Sequence, residues 1–145
     1  MQRFDPEKLD VDQAAVEFVA LADDVVENLP RGRAYLADQL QRASTSIPLN
    51  VAEGAGEFSK NEKARFYRIA KRSATESAAI LDVCRRLKLV SEASYAAGRD
   101  LLLRIVSMLV AMVRRDSGSG AGTGTGTEEE NCTQSKRPIG SAYRP

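Results

Sequence analysis

The sequence predicts an all-α fold, an antiparallel up-down-up-down four-helix bundle followed by a disordered C-terminal tail. Three observations lead there. Apolar residues recur at steps of three and four in four separate stretches between Val11 and Asp116. The breaks between those stretches carry proline, glycine and serine, and the first is short, so the second helix should run back beside the first. After Asp116 the composition changes abruptly to SGSGAGTGTGT and then EEENCTQSKRPIGSAYRP. The domain expected is therefore residues 1–116, with 117–145 a Gly/Ser/Thr-rich tail that buries too little to offset the entropy lost on ordering. An apolar content of 43% with only 6% aromatic residues suits a small helical protein better than a sheet protein.

Asp5 to Asp12 reads as a lead-in, with Pro6 suited to a first helical turn and Asp10 or Asp12 able to cap the helix after it. Ala15, Phe18, Val19, Ala22, Val25, Val26 and Leu29 then mark a first helix, roughly Val11 to Leu29, which Pro30 and Gly32 end. The second, about Arg33 to Ala55, holds Pro48 inside its pattern. Proline removes a donor and clashes with the carbonyl four residues back, here Ser44. The stripe Leu40, Ala43, Ile47, Val51 nevertheless keeps phase across it, so a kinked but continuous helix is expected, with the Ser44 and Thr45 hydroxyls near the broken rung. Beside the apolar stripe runs a polar one, Tyr35, Gln39, Arg42, Ser46, Asn50 and Glu53. A solvated flank would carry more Lys and Glu, so this helix should be covered on more than one side.

The third helix opens with Ser59 before KNE, where the hydroxyl can cap the helix while Glu62 reaches back in a capping box. Phe66, Ile69, Ala70, Ser73, Ser77, Ile80, Cys84 and Leu87 share one face; Arg65, Arg68, Lys71, Arg72 and Arg86 point broadly the other way. Glu76, at the border, is placed to answer Arg42 or Asn50 on the second helix. Ser91 and Glu92 open the fourth helix, with a core stripe of Tyr95, Leu102, Ile105, Val106, Leu109 and Val113. Leu101, Met108 and Met112 widen it on one side, Leu103 and Val110 on the other. An arc of roughly 100° suffices for a surface helix. The excess predicts burial against a neighbouring subunit.

Net charge is +1, but its distribution is uneven. Residues 1–30 hold two basic and eight acidic side chains, a balance of −6, and residues 60–88 hold nine basic and three acidic, a balance of +6. Such asymmetry could steer subunits together or draw a polyanion to one face. The plainer expectation is two solvated faces of opposite sign packed side by side.

Cys84 lies in an apolar stripe and Cys132 in the polar tail, so reduced cytoplasmic thiols are expected rather than a disulfide framework. The polar start MQRFDPEKLD is no signal sequence, and the run Leu101 to Val113, interrupted by Arg104, is too short for a bilayer. A cytoplasmic protein with no membrane partner is expected.

There is no histidine, which removes the usual acid–base partner and metal ligand. Glu53 and Glu76 could form a carboxylate pair, but di-iron bundles need Glu-x-x-His elements that cannot occur here. AEGAGEF follows a helix and lacks the Lys and Ser/Thr of a phosphate loop. No catalytic residue, metal or cofactor is expected.

The run from Gln39 to Leu87 resembles the small bacterial four-helix bundle proteins first noticed as open reading frames in ribosomal RNA intervening sequences. It is more distantly similar to the accessory variability determinant proteins of diversity-generating retroelements. The matching positions are Gln39, Leu40, Arg42, Ala43, Ser46, Ile47, Asn50, Val51, Ala52, Glu53, Gly54, Phe66, Ile69, Ala70, Ser73 and Glu76. Arg72 stands where many relatives carry glycine. The resemblance implies a ring of identical subunits, most often a homopentamer, and does not imply an enzyme. The retroelement relatives bind nucleic acid and a reverse transcriptase through basic surfaces, so RNA, DNA or a reverse transcriptase are the partners it implies.

Two functions stay open on this reading. One is a homo-oligomeric, nucleic-acid-associated binding module or scaffold using Arg65, Arg68, Lys71, Arg72, Arg85, Arg86 and Lys88, with Arg65 and Arg72 nearer the apolar edge. The other is a protein-only scaffold whose basic face is merely solvated. A near-neutral pI of about 7.7 and the lack of aromatic residues interleaved with the basic ones weigh against the first, which is still the reading preferred, with the second as its alternative. Arg42, Ser46, Asn50, Glu53, Ser73, Glu76, Leu101, Met108 and Met112 are expected to serve packing or assembly.

Overall fold

The computed structural model describes residues 6–117, and these form four helices: α1 Pro6–Glu27, α2 Ala34–Gly56, α3 Lys60–Arg86 and α4 Glu92–Ser117. The expectation for the tail lies outside the described residues, apart from Ser117, which closes α4.

α1 begins earlier than its apolar stripe suggests. Proline at the first helical position loses no intrahelical bond there, so the chain is helical from Pro6. Asp10 and Asp12 consequently sit inside the helix rather than at its cap, and Asp12 pairs with Lys8 one turn back at 3.6 Å. Gly32, at φ 93°, makes the turn into α2. α2 runs without interruption through Pro48, as the phase of its stripe required. The Ser44 and Thr45 hydroxyls donate to the Gln41 carbonyl at 3.2 and 2.7 Å, a turn before the rung that proline leaves open.

Ser59 caps α3, its hydroxyl accepting from the Glu62 amide at 3.5 Å, and Ser91 caps α4 by accepting from the Ser94 amide at 3.1 Å. α3 ends in a 6→1 bond from the Leu89 amide to the Cys84 carbonyl at 2.8 Å, with Lys88 in the left-handed region at φ 57°.

α1 packs on α2 and α4, and α3 packs on the same two helices, so α1 and α3 stand on diagonal corners. The acidic and basic stretches are therefore not neighbours, contrary to the plainer sequence expectation. They face solvent on opposite sides of the molecule. Phe18, Leu40, Ile47, Val51, Leu81, Ile105 and Leu109 fill the centre and are essentially inaccessible. Burying each stabilises the bundle by about 1.5–3 kcal/mol before entropy is counted.

Most of the wide apolar arc of α4 is used within the chain. Leu102, Ile105, Leu109 and Met112 are buried, and Leu101, Val106, Met108 and Val113 are half-buried against the core. A helix flanked by two neighbours needs a broader apolar arc than one packed on a single face. Only Leu103, 68% exposed, is left fully outside.

Candidate functional site

The outward side of α3 carries Arg65, Arg68, Arg72 and Arg86 at intervals that keep them on one stripe, while Lys71 lies on its α4 flank. All are exposed, as are Arg85 and Lys88. The structure divides these seven. Arg65 donates from Nε to Glu62 at 3.2 Å and lies 4.9 Å above the Phe66 ring. Arg85 donates from Nε to Glu92 at 3.1 Å and stacks 4.5 Å above Tyr95. The hydrogen bond to Glu92, then that to Tyr95, pushes the Arg85 pKa further up. Tyr95 in turn donates to Asp82 at 2.6 Å, and Arg99 approaches the same carboxylate at 3.9 Å. Arg85 thus belongs to a polar lattice tying the end of α3 to the start of α4. Among the described residues, Arg68, Lys71, Arg72, Arg86 and Lys88 enter no ion pair, and they form the basic surface left open to a partner.

The residues expected in packing or assembly fall into two groups. Ser46 and Ser73 meet across α2 and α3 through a 2.8 Å hydroxyl contact, and Asn50 donates to the Ser46 carbonyl and hydroxyl at 2.8 and 2.9 Å. Ser77, fully buried, donates to the Ser73 carbonyl at 2.9 Å. Only the middle of the polar stripe of α2, Ser46 and Asn50, is a helix–helix seam; Tyr35, Gln39, Arg42 and Glu53 are exposed, so the expected second cover is partial within the chain. Arg42 pairs with Asp38, one turn back on its own helix, and this bond is the main cause of its raised pKa. Glu76 adds only the smallest contribution to that shift, so the expected partner is secondary. Glu53 and Glu76 are exposed. Leu101 and Met108 are half-buried and Met112, at 4% exposure, is core.

Two close approaches were not legible in the sequence. A Cβ on Gly54 would meet Tyr67 Cε1 at 2.7 Å, and one on Gly98 would meet Leu81 Cδ1 at 2.8 Å. In sequence Gly54 falls in phase with the apolar stripe of α2 and Gly98 carries no signal of its own; contact with another helix is what fixes them.

Among the described residues no group of three or more His, Cys, Asp or Glu is placed to hold a metal ion. No described helix is long and apolar enough to cross a membrane. Fold and surface together define a small all-helical bundle whose exposed chemistry is a cationic stripe.

A family model described as "23S rRNA-intervening sequence protein" matches residues 7–111, and the chain belongs to that family. It is also similar to a crystal structure of a protein of unknown function from the S23 ribosomal protein family of Bacteroides thetaiotaomicron. The TM-score is 0.69 at 19% identity, covering 74% of this chain and 98% of that one, and it speaks for the fold alone. No curated protein sequence matches the chain.

Proposed function

We propose that this protein is a non-enzymatic homo-oligomer, of five copies as the family resemblance implies, that associates with nucleic acid through α3. The observation that carries the reading is the unpaired stripe Arg68, Arg72 and Arg86 with Lys71 and Lys88 beside it, on the corner opposite acidic α1. Guanidinium groups without a carboxylate partner are free to meet phosphates, and a ring repeats them once per copy. Membership of a ribosomal RNA intervening-sequence family supports RNA as the polyanion.

Neutralising phosphates releases counterions, so affinity for mixed-sequence RNA or DNA should fall linearly on a log–log plot against salt. The slope is expected to shrink by about 0.7–0.9 for each phosphate that is no longer neutralised. Arg68→Glu with Arg72→Glu should abolish binding while leaving the melting temperature unchanged. No binding by the unaltered chain at low salt rejects the reading.

A protein-only scaffold is the second reading. What favours it is that Arg65 and Arg85 already serve internal contacts and Phe66 and Tyr95 lie beneath them, so neither ring is an open stacking platform. Oligomerisation without nucleic-acid binding is its signature.

A further inference from the structure

The acidic corner of this molecule is not purely polar. On α1, Val16 is 60% exposed and Ala20, one turn on, is exposed beside it. Asp12, Glu17, Asp23 and Asp24 each stand three or four residues from one of these two, so carboxylates ring a small apolar knob. Across the bundle, α3 and α4 leave between them a groove of about 470 Å³. Ala74, Ala78 and Ala96 contribute short side chains to its lining, and Val106 and the exposed Leu103 add apolar surface. Arg99 lies in the lining and Lys71 stands one turn before Thr75, with Asp100 the one acidic group in that lining. Knob and groove match in apolar character. The knob, in a stretch of balance −6, is answered by Lys71 and the α3 wall of the groove, which belongs to the +6 stretch, while Arg99 and Asp100 on the α4 wall offset one another.

We propose that the α3–α4 groove receives the outer face of α1 from a second copy of this chain. Val16 and Ala20 enter the groove, and Glu17, Asp23 and Asp24 approach Lys71 and Arg99. The inference rests on the homo-oligomeric reading above and names its interface. The two surfaces differ, so the contact is heterologous: each copy offers one of each, and the arrangement closes into a ring or continues as a filament. Arg68, Arg72 and Arg86 lie on the outward stripe and stay available to a polyanion, while Lys71 passes from that surface into the interface.

The test is charge exchange. Three full-length variants are needed: Glu17→Lys with Asp24→Lys, Lys71→Glu with Arg99→Glu, and all four changes in one chain. All four positions are exposed, and the one ion pair touched, Arg99 with Asp82, is a long surface contact that contributes little to folding. Light-scattering mass over a dilution series should show each double variant dissociating at concentrations at least roughly tenfold higher than the unaltered chain. Combining all four changes in one chain exchanges the charges on both sides of every contact and should restore association in a ring of any size. Leu103→Ser should weaken assembly in the same direction without altering charge. An unaltered chain of single-copy mass at every concentration removes the homo-oligomer itself. A stable oligomer whose mass neither double variant changes, or a fourfold variant that does not regain association, overturns this interface and leaves the oligomer standing.

Discussion

At Gly54 a single hydrogen atom decides whether α2 and α3 can meet. The Tyr67 ring lies where a Cβ would go, and Tyr67 is itself buried at 4% exposure, so the ring has little room to withdraw. Gly54→Ala should therefore cost about 1–3 kcal/mol despite the better helix propensity of alanine. Gly56→Ala, with open space around it, should be neutral or slightly stabilising; chemical denaturation of the two side by side checks the contrast. Cys84 offers a second residue-scale prediction. Burial pushes its thiol pKa up, so the folded state holds that proton more tightly than the unfolded chain does. Its contribution is intact below the ordinary cysteine range and is lost as pH rises through the higher folded value. Melting temperature should fall on the alkaline side, and Cys84→Ala should flatten that fall; parallel pH–melt curves show whether it does.

Among the elements, α2 and α3 hold one another through hydroxyls as well as through apolar contact. Ser46→Leu removes the partner of Ser73, which is only 7% exposed, and takes an acceptor from Asn50. Leaving such groups unpaired should cost about 1–3 kcal/mol. Asn50→Leu, which removes two donated bonds, should fall in the same range. Unchanged denaturation midpoints in both would show the seam to be incidental. The elements themselves were largely legible. Stripe phase carried α2 across Pro48, and the Ser59 and Ser91 caps located two helix starts within a residue. The start of α1 was not legible, because its first turn precedes the apolar periodicity that marks the helix.

For the whole molecule, the decisive fact is the diagonal placement of α1 and α3. Had they been neighbours, their opposite charges would largely have answered one another within the chain. Standing apart, they give the bundle an acidic and a basic side, and both the salt-titrated nucleic-acid binding and the charge-exchange experiment depend on that. The same placement explains why the wide apolar arc of α4 alone is weak ground for assembly. Met112 lies in the chain's own core and Leu101 and Met108 pack partly against it, whereas Val16 on α1 and Leu103 on α4 are among the apolar residues left exposed. Sequence phase showed which residues shared a face of one helix; it did not show which neighbour covered that face.

The sequence by itself determined four helices, their order, the serine caps of α3 and α4 and a cationic face on α3, because each depends on residues within a turn or two of one another. Tertiary structure alone decided which cations are free, which polar residues form a seam, which glycines are contact points, and that the charged helices stand apart. Those depend on distances between side chains far apart in the chain. Periodicity along one helix does not contain them.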